Sequence, residues 1–133
     1  MGVLKVFMKK KEISTTKAPK PGGKYSQAIE VGNIVFLSGQ LPIDHKTSQV
    51  ITNDFELVFR LCFKNLAAIC EAANGSLDNI VKLNVFLTEK EASPYLDKVL
   101  PEFFNKPYPA RSRIFINNLS QNAQVEIEAI MVK

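Results

Sequence analysis

Tryptophan is absent from this chain, histidine occurs once, at His45, and cysteine only twice, at Cys62 and Cys70. A lone histidine in a polar loop excludes a serine–histidine triad and any multi-histidine metal site. The two cysteines fall eight residues apart in one helical pattern, which sets their Cα atoms about 12 Å apart along the axis, beyond disulfide reach. Both read as small core residues of a reducing compartment, and no ligand spacing suits zinc. No apolar run approaches the roughly 18 residues that a membrane span requires. The stretch from Met1 to Phe7 is too short for a signal peptide, and its lysines follow the apolar residues instead of preceding them. It also lacks arginine, which makes a mitochondrial transit peptide a weak reading. The expected address is the cytosol, with Met8 an alternative start.

What remains is the make-up of one globular domain: 133 residues, 46% of them hydrophobic, enough for a real core. The basic balance is local. Residues 1–24 carry seven lysines against one glutamate, a net +6, while the remainder carries ten basic against twelve acidic residues, a net −2. The body therefore lacks the broad positive face that nucleic-acid binding needs. We read residues 1–12 as a basic, solvated tail and 13–133 as a single domain.

Hydrophobic periodicity orders the elements. Ile29–Val31 and Ile34–Gln40 read as strands joined by the turn Gly32-Asn33. Pro42 to Ser48 is a polar loop, and Val50-Ile51 is a short strand at best. Asn53 and Glu56 form a capping-box pattern ahead of a helix to about Ala73, stopped by Asn74-Gly75. Its stripe is Phe55, Val58, Phe59, Cys62, Leu66, Ile69, Cys70 and Ala73. Ile80 to Thr88 is a strand with Val81, Leu83, Val85 and Leu87 facing inward. Ser93-Pro94 opens a second helix, with Leu96, Val99, Leu100 and Phe103 apolar and Pro101 predicting a kink or break. Strands from Arg111 and from Ala123 finish the chain.

This order predicts an α+β fold, a mixed sheet with two helices packed on one face. Two helices cannot cover both faces, and the other face would carry Phe86, Phe115, Ile130 and Val132. An apolar patch of that size implies cover by other subunits, with Arg111 and Glu126 at or near the interface.

Two strings carry the chemistry: Pro109-Ala110-Arg111-Ser112 and Val125-Glu126-Ile127-Glu128-Ala129. On a strand, Arg111 shares a face with Arg113 and Phe115, while Glu126 and Glu128 point away from the apolar Ala123, Val125, Ile127, Ala129 and Met131. A fixed guanidinium is a planar fork for a carboxylate, and a glutamate nearby can handle a proton or a water. The pattern alone suits a small-carboxylate site, but also a structural cross-strand pair. Glu128 shares the face of Glu126 and could take its role. Gly39 alone reads as a bulge and Tyr25 as a packing aromatic.

Those two strings, together with Gly23-Lys24-Tyr25-Ser26-Gln27-Ala28 and Val35-Phe36-Leu37-Ser38-Gly39-Gln40-Leu41-Pro42, resemble the RidA/YjgF family of reactive-intermediate (imine) deaminases. The resemblance runs from about Ile13 to Val132, with its motifs in order. It implies a chorismate-mutase-like fold, a homotrimer with clefts between subunits, and hydrolysis of 2-imino acids such as 2-iminobutanoate and 2-iminopropanoate to 2-oxo acids and ammonia. No cofactor or metal is implied. In that frame Arg111 grips the substrate carboxylate, Glu126 places the water and moves the proton, and Tyr25, Ser38 and the Gly39 backbone complete the pocket. Some relatives are described as L-PSP endoribonucleases or translation inhibitors, and a trimer that binds 2-oxo acids without catalysis is a third reading.

The chain departs from the family at several points. Arg113 stands where a small residue, often cysteine, is usual. It either draws the pocket towards a larger or more acidic anion, pairs with Glu126 or Glu128, or rotates to a rim carboxylate. Asp97 stands in place of asparagine, Leu100 in place of an aromatic, and Lys24 in place of proline before Tyr25. An aspartate facing the pocket opposes anion binding.

Overall fold

The computed structural model describes residues 9–133. The elements are β1 (Lys11–Ile13), β2 (Ala28–Val31), β3 (Ile34–Gln40), α1 (Phe55–Ala72), β4 (Ile80–Leu87), α2 (Ser93–Val99), β5 (Ala110–Phe115) and β6 (Val125–Val132). They form one six-stranded sheet in the order β1-β2-β3-β6-β4-β5. Only β4 and β5 run parallel, and the chain between them carries α2, as a parallel crossover must. The expected mixed sheet with two helices, an α+β fold, is what the chain adopts. Most of the basic tail, and the alternative start at Met8, lie outside the described residues. Within that tail, however, Lys11 and Glu12 are part of β1 and pair with Glu30 and Ile29, so the sheet has a first strand that the sequence reading, which begins at Ile29, does not include.

Alternation decides which way each strand faces. Val125, Ile127, Ala129 and Met131 of β6 are buried, as are Val35 and Leu37 of β3 and Leu83, Val85 and Leu87 of β4. Across this layer lies α1, with Val58, Phe59, Cys62, Phe63, Leu66, Ile69 and Cys70 buried, and Leu96 and Val99 of α2 extend it. Phe63 closes the far end, its ring centroid 5.3 Å from Phe103 and 5.4 Å from Phe104. The break foreseen at Pro101 is present: α2 stops at Val99 and tightens into a 3-10 turn over Leu100–Glu102.

Three local expectations are corrected. The cap of α1 is Asp54, whose carboxylate accepts from the Leu57 N–H at 3.2 Å. Asn53 instead adopts a positive φ of 70° and exchanges side-chain and backbone hydrogen bonds with Gln124, while Glu56 pairs with Arg60 and Lys98. Val81 faces solvent, because an irregularity between Ile80 and Lys82 puts Ile80, not Val81, into the core. Phe115 lies on the helix side of the sheet, since it pairs with the buried Leu87; the open-face position belongs to Ile114, which pairs with Phe86. The open face consequently displays Ile34, Phe36 and Ile114 as exposed apolar residues, with half-buried Phe86, Ile130 and Val132 between them. The Val50-Ile51 segment contributes only an isolated bridge, Val50 to Ile43.

Candidate functional site

The expected partners Arg111 and Glu126 do not meet within one chain. On β5, Arg111 pairs with Leu83, whose side chain is buried beneath the helices. On β6, Glu126 pairs with Phe86, which points the other way. Cross-strand partners share a face, so the guanidinium and the carboxylate stand on opposite faces of the sheet. Sequence alternation gave each strand's faces but not the relation between strands, which depends on pairing register.

Each residue lines a cavity of its own. Around Glu126 a cavity of ≈ 720 Å³ is bounded by Tyr25, Ser38, Gly39, Lys20 and Glu128. The pairing of β3 with β6 slips between Leu37 and Gln40, the irregularity expected of a glycine there. A Cβ on Gly39 would lie 2.7 Å from the Glu126 Cδ and overlap Oε1. The missing side chain of Gly39 is thus what lets the carboxylate lie flat against the strand. Ser38 donates its hydroxyl to the Ser26 carbonyl at 2.6 Å, tying the strand to the loop that carries Tyr25. The exposed Tyr25 ring reaches back so that its oxygen accepts the Gly22 N–H at 3.1 Å.

Glu126 is half-buried, and burial pushes its carboxyl above the ordinary value of 4.5, with the negative charge of Glu128 adding to the shift. Glu128 itself accepts a hydrogen bond from Asn84 at 3.1 Å, so its carboxylate is already committed. That makes Glu126 the less encumbered of the two for proton transfer. The thiols are no competitors as reactive groups: burial raises Cys62 and, with the charge of Glu71, pushes Cys70 up to about 12.

Arg111 lines a second cavity of ≈ 470 Å³ with Asp97, Leu100, Tyr108 and Leu83. Its Nη1 donates to the Asp97 carboxylate at 2.8 Å. Arg113 follows one strand repeat further on the same face, with its guanidinium 5.6 Å from the centre of the Phe115 ring. The pairing of Arg113 with Glu126 or Glu128 does not form, and the face it occupies explains why.

Sequence reasoning missed the supports of these cavities. Gln27 is buried; its side chain accepts from the Thr15 N–H and donates to the carbonyls of Thr15 and Pro19, pinning the segment that walls the Glu126 cavity. Asn65, buried on α1, donates to the carbonyls of Leu41 and Ile43 and holds the loop after β3. A polar amide inside an otherwise apolar stripe is the signal that could have found Asn65. Tyr108, flanked in sequence by Pro107 and Pro109, had no periodic signal at all.

Fold and site together define a small α+β protein that holds an arginine fork and a half-buried glutamate in two separate cavities. A family model described as endoribonuclease L-PSP matches residues 15–133. A protein of Dermatophagoides farinae named 2-iminobutanoate/2-iminopropanoate deaminase is 41% identical over 123 residues, covering 92% of this chain and 96% of that one. Among solved structures, RidA from the Antarctic bacterium Psychrobacter sp. superposes with a TM-score of 0.89 at 41% identity, covering 92% of this chain and 99% of that one. E. coli TdcF with bound serine superposes at 0.87 and 35% identity, covering 92% and 98%. The chain belongs to the RidA/YjgF/L-PSP family.

Proposed function

We propose that this protein hydrolyses 2-imino acids to 2-oxo acids and ammonia, in clefts formed between copies of the chain in a homotrimer. The observation that carries the reading is the split site: a carboxylate-binding fork and a proton-carrying glutamate, each bordering its own cavity on opposite faces. A second copy laid against the open face can bring the Arg111 half of one chain to the Glu126 half of its neighbour, and would cover Phe36 and Ile114 at the same time.

In the joined cleft the substrate carboxylate takes the donors of Arg111 that Asp97 leaves unused. Water adds to the imine carbon, the C–N bond breaks, and ammonia leaves with the added protons. Glu126 is suited to that traffic because its surroundings favour the protonated acid more than water does. The protonated Glu126 donates to the imine nitrogen as water adds and takes a proton from that water. On collapse it donates again to the amine nitrogen and takes the carbinolamine hydroxyl proton, so both protons of the water end on ammonia. The name of the Dermatophagoides farinae relative, 2-iminobutanoate/2-iminopropanoate deaminase, supports the same chemistry.

The test generates 2-iminobutanoate with an amino-acid oxidase and traps it with semicarbazide, so that the enzyme competes with the trap. Parent protein should divert the flux to 2-oxobutanoate, and Arg111→Ala and Glu126→Ala should each abolish the diversion. A well-folded oligomer that diverts nothing refutes the reading. Carboxylate binding through Arg111 without any rate enhancement would assign a non-catalytic binder. RNA cleavage that survives Arg111→Ala would assign the ribonuclease that the family description names.

A further inference from the structure

We infer that Arg113 gives this site a preference for dicarboxylic ligands, 2-imino and 2-oxo acids with a second carboxylate, and is the residue that sets it. The inference rests on the imino-acid reading above and deepens it.

Arg111 and Arg113 face the same side of β5, a fact fixed by their pairing with the buried Leu83 and Val85. Two residues apart on a strand, their Cα atoms are separated by about 6.6 Å. That spacing lets each fork take one carboxylate of a four- or five-carbon diacid lying along the strand. The first carboxylate sits against Arg111 in the cavity walled by Leu100 and Tyr108, and the chain runs out of that cavity along β5 to the exposed Arg113 beyond its lining.

The charges of the two arginines are disposed differently. Arg111 has Asp97 as its fixed counterion. Arg113 has none: among the described residues the ion pairs engage Arg60, Lys98, Arg111 and Lys133, and the Arg113 guanidinium lies over the face of Phe115. A ring beneath a guanidinium restrains its orientation without using its in-plane donors, so the whole fork stays available to an anion. One excess positive charge beyond the Arg111–Asp97 pair is what a second carboxylate requires. Hydrolysis of a dicarboxylic imine follows the balance already given: water adds, ammonia leaves, the 2-oxo diacid remains, and nothing is oxidised or reduced.

Calorimetric titration of the intact protein with 2-oxobutanoate, oxaloacetate and 2-oxoglutarate tests the inference apart from catalysis. The diacids should bind about tenfold tighter than 2-oxobutanoate, as one added charge-assisted fork implies. Arg113→Ala should erase that advantage while leaving 2-oxobutanoate within about twofold, and Arg113→Lys should keep part of it. Equal binding of mono- and diacids by the parent overturns the inference. So does an equal loss for both ligands in Arg113→Ala, which would make Arg113 a mere replacement for the charge that Asp97 cancels. A change confined to solubility or oligomer size would identify it as a guard charge on an edge strand. The 2-iminobutanoate trapping assay reports separately on the deaminase reading, so either conclusion can fall alone.

Discussion

The carboxylate of Glu126 rests on the backbone of Gly39, so closely that a methyl group there would stand 2.7 Å from its Cδ and overlap Oε1. The glycine is needed for this approach and not for its backbone angles, since the positive-φ glycine among the described residues is Gly32. Gly39→Ala should therefore move the end of the glutamate and leave the strand in place. We expect kcat/KM for imine hydrolysis to fall at least tenfold, with the folding free energy changed by only about 1 kcal/mol. Denaturant unfolding beside the trapping assay checks the split. Equal collapse of both would mean that Gly39 serves the fold first.

The acidity of Glu126 has two causes that mutation can separate. Burial is the larger, and the charge of Glu128 adds to it. Glu128→Gln keeps an acceptor for Asn84 and removes the charge. The limb of the kcat/KM profile that falls as pH rises through the Glu126 pKa should move to lower pH, yet stay above the ordinary carboxylate value because burial persists. Stability obeys the same sign. The native state prefers Glu126 protonated, so its contribution is fully present below 4.5 and is lost as pH rises through the raised native value. A profile unmoved in Glu128→Gln, or unchanged in Glu126→Gln, would detach this limb from Glu126.

Asp97 competes for the fork that a substrate needs. Its bond to the Arg111 Nη1 is 2.8 Å long, and its own side chain is largely exposed, 67%. The pair contributes little to folding, because exposed ion pairs are worth about 0 to 1 kcal/mol. Asp97→Asn should consequently leave the melting temperature within a few degrees while lowering the Kd for 2-oxobutanoate several-fold. Titration calorimetry decides it. Weaker binding in the variant would show that Asp97 orients the guanidinium more than it obstructs it.

What the residues alone disclosed follows a physical division. Alternation in β6 and β4, the stripe of α1 and the break at Pro101 are local, and each came out of the sequence. The face of Phe115, the inward turn of Ile80 and the separation of Arg111 from Glu126 depend on which residue lies opposite which. No local pattern encodes that. Gln27 and Asn65 show the same division from the other side: each meets backbone 8–12 or 22–24 residues away, and only closure of the chain brings those carbonyls within reach.

Separation of Arg111 and Glu126 onto opposite faces yields the sharpest prediction for the assembly. If each cleft takes its arginine from one chain and its glutamate from the next, Arg111→Ala and Glu126→Ala chains are individually inactive but complement each other. In an equal mixture that assembles at random, about one cleft in four receives both intact halves, given a cyclic trimer. Co-refolded or co-expressed variants should then recover roughly a quarter of the parent's imine hydrolysis, while the two proteins mixed as preformed oligomers should recover none until subunits exchange. Light scattering on the same samples fixes the number of chains. A site contained in one chain predicts no recovery at any mixing ratio, so the activity of the co-refolded sample separates a shared cleft from a private one.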